Sequence, residues 1–197
     1  LHRAHASTVG VADRLPAYAG LLVQREIEAL SKLTDNPARP YLAIIGGKKA
    51  RSKLGALRDL LDKVDEILIG GGVAFTFLRA AGAEVGNSIV DDDLLDDIKE
   101  LIRAAYDSGV KILLPRDVVI GRELSPTAET ATARADKIPE GWMGLDIGPE
   151  TIELFRTEIG KAKTIVWAGP MGAFEFPPFA AGTRAIGEAL AAADAFT

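Results

Sequence analysis

The feature that most constrains this chain is a repeated unit: a short apolar run, then a stretch long enough for a helix, then another apolar run. Such runs occupy residues 41–45, 67–69, 111–114, 118–120 and 164–167, and isoleucine and valine dominate most of them. Brief apolar runs separated by helix-length segments are the pattern of parallel strands joined by helical crossovers. The expected fold class is therefore α/β, a doubly wound Rossmann-like parallel sheet with helices on both faces. The intervening segments support it. Residues 91–107 open with acidic side chains, place Leu94, Leu95, Ile98, Leu101 and Ile102 on one face, and stop at Gly109. Further helices are predicted at 53–62, 74–81, 149–159 and 183–193. A longer one at 17–33 carries the stripe Leu21, Leu22, Ile27, Leu30 and Leu33 and is broken by the proline-containing stretch 34–40. Periodicity alone leaves both a domain connector and a packed outer helix open for that segment.

Three of the apolar runs end in glycine: Ile45 leads into Gly46-Gly47, Ile69 into Gly70-Gly71-Gly72, and Trp167-Ala168 into Gly169-Pro170-Met171-Gly172. Ligands of open parallel sheets bind beyond the carboxyl ends of the strands, where glycine lets backbone amides approach a phosphate or a flat base. One such turn is ordinary, but three at one sheet edge point to a nucleotide site. The standard fingerprints are absent. No glycine is spaced as in a P-loop, and Phe75 stands where the third glycine of a dinucleotide motif belongs.

The chain is acidic overall, with a net charge of −5, yet Lys48, Lys49, Arg51 and Lys53 crowd together behind the first glycine pair. Lysines four residues apart, such as Lys49 and Lys53, reach one point from the start of a helix, where they can neutralise phosphoryl oxygens. A merely solvated basic helix start is the alternative, and the helix dipole disfavours it. The acidic balance argues against a general nucleic-acid binder. The sequence has no cysteine, and its two histidines are His2 and His5, which excludes disulfides, thiolate metal sites and a cysteine nucleophile. No apolar run reaches membrane-spanning length, so the expectation is a cytoplasmic protein without a membrane partner.

Five motifs taken in order resemble one family. They are His2-Arg3-Ala4-His5-Ala6-Ser7, Gly46 to Lys53, Ile69 to Leu78, Gly141-Trp142-Met143-Gly144-Leu145-Asp146-Ile147-Gly148-Pro149, and Trp167 to Glu175. Together they are similar to phosphoglycerate kinase along essentially the whole chain. The resemblance implies two doubly wound domains facing across a cleft. The N-terminal one binds 3-phosphoglycerate or 1,3-bisphosphoglycerate, the C-terminal one binds ADP or ATP with Mg2+, and hinge closure permits direct phosphoryl transfer. It further implies that residues 1–14 are the last segment of the substrate domain, 15–40 the interdomain helix and linker, and 41–197 the nucleotide domain, cut before its final strands.

Residue by residue, His2 and Arg3 match the basic patch that receives phosphoglycerate, and Lys49 and Lys53 match the lysines at the transferring phosphates. Gly47, Gly70, Gly71, Gly144 and Leu145 match the nucleotide pocket, with Gly70 and Gly71 its adenine floor. Gly169, Pro170 and Met171 match the loop beside the nucleotide, and Glu175 matches the carboxylate that holds the ribose hydroxyls. Lys48, Ala50, Arg51 and Ser52 depart from the family's usual Gly-Gly-Ala-Lys-Val pattern, and Ala168 replaces its usual asparagine. The family's Gly-Gly-Gly-Asp turn, which supplies the magnesium ligand, does not occur, so no residue is assigned to metal. Asp91-Asp92-Asp93 reads as a helix-start charge run. The expectation is thus an inactive portion of a monomeric glycolytic kinase. A non-catalytic nucleotide-binding relative and a purely structural domain remain open.

Overall fold

The computed structural model describes residues 3–197 and divides into two compact units, the first ending at Pro37 and the second spanning Ala38–Thr197. In the first, a π-helical turn at Ala6–Gly10 is capped by His5, whose ring accepts the Ser7 N–H at 3.3 Å. Helix α1 (Leu21–Thr34) follows. It begins later than residue 17 because Pro16 and Gly20 bracket a stretch without helical hydrogen bonds, and Gly20 becomes its N-cap. None of its residues is buried.

The second unit runs β1 (Tyr41–Ile45), α2 (Leu54–Leu60), β2 (Glu66–Ile69), α3 (Gly71–Ala80), β3 (Glu84–Val85), α4 (Leu95–Asp107), β4 (Lys111–Leu113), β5 (Asp117–Gly121), β6 (Thr130–Arg134), β7 (Lys137–Ile138), β8 (Met143–Ile147), α5 (Pro149–Ile159), β9 (Thr164–Ala168) and α6 (Ala181–Ala192). The main sheet has the order β4-β2-β1-β9 and is parallel throughout. All five residues of β1 are buried, as a central strand covered on both faces requires. The α/β class, with a parallel sheet flanked by helices, is the one the sequence predicts.

One strand departs from that expectation. Residues 118–120 do not join the parallel sheet; β5 is the middle of an antiparallel sheet ordered β6-β5-β8. The connection from β5 to β6, residues 122–129, is too short for a crossover helix, so the chain turns back on itself.

Two apolar clusters among the described residues bear on the site. Leu42, Ile44, Leu68, Ile147, Phe155, Ile159, Ile165, Met171 and Ile186 fill the space among the parallel sheet, α5 and α6. Phe75, Leu78, Val85, Val118, Ile120 and Ile138 form the second, between α3 and the antiparallel sheet. Each fully buried side chain of this size stabilises the fold by roughly 1.5–3 kcal/mol. Met171 from the first cluster and Phe75 and Val118 from the second border one cavity.

Neither α5 nor α6 carries its own side-chain N-cap, because Gly148 and Ala180 stand at those positions. Buried aspartates reach across to do the job. Asp117 on β5 accepts the N–H groups of Glu150 (3.1 Å) and Thr151 (2.8 Å) and the Thr151 hydroxyl (2.7 Å) at the head of α5. Asp146 on β8 accepts the Gly182 N–H at 2.7 Å, in the first turn of α6, and the Ile147 N–H at 2.9 Å.

Candidate functional site

The three glycine turns meet at the carboxyl edge of β1, β2 and β9. They are laced together by their own backbone: Gly46 N–H donates to Ala168 O (3.0 Å), Gly47 N–H to Pro170 O (2.9 Å), Gly70 N–H to Ile45 O (2.9 Å), Gly71 N–H to Met171 O (3.0 Å), and Val73 N–H to Gly47 O (3.2 Å). Side chains are excluded. A Cβ on Gly46 would lie 2.1 Å from Pro170 O, and one on Gly71 would lie 2.8 Å from both Gly47 N and Gly47 O. Gly47, Gly71 and Gly169 also sit at φ of +112°, +61° and +99°, where other residues are strained. The glycines therefore allow turn to pack on turn. Their amides are donated to neighbouring carbonyls, which differs from the sequence-based picture of amides left to approach a phosphate.

A cavity of about 690 Å³ opens beside these turns, a size suited to a small organic ligand. Gly47, Lys48, Gly71, Gly72, Pro170, Met171 and Gly172 border it on the turn side; Phe75, Val118, Met143, Gly144 and Leu145 form an apolar wall; and Ala173, Glu175 and Phe176 complete the rim. The wall is fitted closely. Gly144 packs so tightly on Phe75 that an added Cβ would fall 2.1 Å from the ring, and its N–H donates to the buried Ser88 hydroxyl at 2.9 Å.

Asp146 also borders the cavity, and only 2% of its surface is exposed. Burial pushes its carboxyl up to about 7, against the opposing pull of the Gly182 and Ile147 N–H groups. Gly172 and Gly182 close around it so nearly that a Cβ on either would come within 2.3 Å of Oδ1.

Of the residues singled out from sequence, Gly47, Gly71, Gly144, Leu145, Pro170, Met171 and Glu175 border this one cavity. Gly70 and Gly169 lie in the laced turns behind it: a Cβ on Gly70 would meet Met171 Sδ at 2.5 Å, and Gly169 O accepts the Trp167 indole N–H at 2.7 Å. Lys49 and Lys53 are not among the bordering residues. Instead of sharing the first turn of one helix, they flank a 3-10 turn at Ala50–Ser52, and Lys53 takes the N-cap position of α2. The Lys53 chain does run past the first turn, its Cε 3.7 Å from where a Gly47 Cβ would stand. Arg3 is exposed in the first unit, and His2 lies outside the described residues.

The basic run also divides in a way the sequence did not foretell. Arg51 pairs with Asp93, while its N–H donates to the Asp91 carboxylate at 3.1 Å. The acidic residues ahead of α4 thus hold the basic turn in addition to starting a helix. Lys48, Lys49 and Lys53 form no ion pair among the described residues. Reasoning from sequence missed Phe75, Val118 and Asp146 as cavity residues. For Asp146 a signal existed, since a lone carboxylate inside the apolar strand Met143-Gly144-Leu145-Asp146-Ile147 must be held by donors.

The described residues contain no group of three or more histidine, cysteine or acidic side chains able to hold a metal ion. No helix among them is long and apolar enough to cross a membrane.

A family model for phosphoglycerate kinase matches residues 1–197. This chain belongs to the phosphoglycerate kinase family. Two solved structures of similar proteins agree with that membership. Phosphoglycerate kinase from Coxiella burnetii is 40% identical, with a TM-score of 0.92 over 98% of this chain and 50% of that one. Phosphoglycerate kinase from Pyrococcus horikoshii OT3 is 30% identical, with a TM-score of 0.86 over 100% of this chain and 50% of that one. The chain therefore spans about half the length of these phosphoglycerate kinases.

Proposed function

We propose that the second unit is the nucleotide-binding half of a glycolytic phosphoglycerate kinase. In this reading it takes ADP or ATP in the cavity between the glycine turns and the Phe75–Leu145 wall. The observation that carries the reading is the convergence on one cavity of a rigid glycine edge, an apolar slot and an exposed carboxylate. The slot suits an adenine ring, Glu175 suits a ribose diol, and the basic turn beside Gly47 suits phosphate.

The parent reaction is reversible phosphoryl transfer between 1,3-bisphosphoglycerate and ADP. Residues 1–14, with His2 and Arg3, belong to the segment that meets phosphoglycerate, residues 15–40 connect the domains, and residues 41–197 hold nucleotide. The nucleotide would enter as its Mg2+ complex, the ion supplying charge neutralisation at the phosphates. Lys49 and Lys53 neutralise the phosphoryl oxygens as charge develops in transfer, a task requiring their chains to swing toward the cavity when nucleotide and acyl phosphate are both present. No covalent enzyme intermediate is needed, because the two substrates react directly once water is excluded. The protein works as a cytoplasmic monomer without nucleic-acid or membrane partners.

These 197 residues alone are expected to be inactive, and a polypeptide extended to the family's full length should turn over 3-phosphoglycerate and MgATP. In that longer protein, Lys49→Ala should lower kcat by about 100-fold or more, as loss of a transition-state charge contact does. Nucleotide binding without turnover by the extended protein would instead support a non-catalytic relative.

A further inference from the structure

We infer that Lys48 is a specificity residue of the cavity, one that reads how many phosphates a nucleotide carries. The inference rests on the nucleotide reading above and adds a residue to it. Lys48 is the only basic residue among the described residues that borders the cavity; Lys49, Arg51 and Lys53 do not. Its ammonium has no ion pair or hydrogen bond among the described residues, whereas Arg51, three positions on, is bound to Asp93. Its backbone is pinned, because a Cβ on Gly72 would fall 2.3 Å from Lys48 O, so the loop rests directly on the first turn of α3. The other two charged residues of the cavity are carboxylates, Asp146 and Glu175.

The lacing of the turns makes this cation matter. The amides of Gly46, Gly47, Gly70, Gly71 and Val73 are all donated to backbone carbonyls, so those groups offer a phosphate no hydrogen bond. An anionic ligand entering a cavity with the exposed Glu175 carboxylate on its border needs a compensating positive charge, and Lys48 is the basic residue on that border. Each added phosphate increases the charge that this ammonium meets, while an uncharged nucleoside gains nothing from it. A flexible lysine stem permits the contact without a fixed geometry, so the discrimination is by charge rather than by shape.

The test is calorimetric titration of the chain with adenosine, AMP and ADP in EDTA, so that no metal shields the phosphates, comparing the natural protein with Lys48→Ala and Lys48→Arg. The expected result is a step of affinity with each phosphate in the natural protein. In Lys48→Ala, ADP should bind about fivefold to tenfold more weakly, AMP less so, and adenosine unchanged, with Lys48→Arg restoring the steps. Higher salt should erode the ADP difference first. ADP binding with the same preference over adenosine in Lys48→Ala would overturn the inference while leaving the nucleotide reading intact. Equal weakening of all three ligands would overturn it too, since Lys48 would then act only by holding its loop. Failure of the natural protein to bind any of the three would remove the nucleotide reading itself.

Discussion

The two sides of the cavity are built by opposite means. The turn side is made of backbone: Gly46, Gly71 and Gly169 lie so close to neighbouring turns that no side chain fits, Gly47 sits at a φ of +112°, and hydrogen bonds join turn to turn. The wall is made of side chains, with Phe75 of α3 set against Val118, Met143 and Leu145 of the antiparallel sheet. A surface made of locked backbone has one shape and tolerates no substitution. A surface made of packed side chains can adjust by rotamer, at a cost, and defines volume rather than direction. The division suits a ligand with a flat apolar end and a charged end.

The largest effect should come from breaking the turn side. Gly46→Ala would place its Cβ 2.1 Å from Pro170 O and 2.7 Å from Gly169 O, atoms of a backbone that has nowhere to go. It should destabilise the chain by about 3 kcal/mol or more, measured by denaturant unfolding. The matching change on the wall is Gly144→Ala, where the obstacle is the Phe75 ring at 2.1 Å. A ring can move, so the loss should be smaller, about 1–3 kcal/mol, and adenosine and ADP should weaken by the same factor. A larger loss at Gly144 than at Gly46 would reverse the comparison.

Asp146 sits between the two sides and gives a pH signature. Its folded-state carboxyl, raised to about 7 from an ordinary 3.8, holds a proton more tightly than in the unfolded chain. The unfolded state therefore binds fewer protons between those values, and this group's contribution to stability falls as pH rises through that window and levels off above 7. The slope is roughly 1.4 kcal/mol per pH unit where the two states differ by a full proton. Asp146→Asn should remove that part of the slope between pH 5 and 7 in unfolding curves. Retention of the natural protein's slope in the variant would assign the dependence to other carboxylates.

The smallest effect on folding belongs to Glu175, which is exposed on the rim. Glu175→Ala should leave stability within about 0.5 kcal/mol and weaken ADP by about tenfold, while leaving 2′-deoxy-ADP less affected. Equal losses for the two nucleotides would remove the ribose contact from the account.

The same contrast explains what was legible in the sequence. Glycine at the ends of β1, β2 and β9 is visible because close backbone approach and positive φ leave no other residue, and those positions are local in sequence. The helix at 149–159 was readable to the residue, because Pro149 follows Gly148 and Gly160 closes it. The wall was legible only in Gly144 and Leu145, and those through resemblance. Phe75 looks like any core residue of α3, and Val118 like any buried strand residue, until the antiparallel turn of β5 brings them together. The Arg51–Asp93 pair was hidden for the same reason: two charge runs 42 residues apart each had a sufficient local explanation.

The most direct test of the central claim is amide chemical-shift mapping of the 15N-labelled chain during titration with ADP and, separately, adenosine. The account predicts saturable shifts for ADP at Gly72, Phe75, Gly144, Leu145 and Glu175 together, with adenosine shifting Phe75, Gly144, Leu145 and Glu175 but not Gly72. No saturable shift with ADP, or shifts gathered away from these residues, would contradict it.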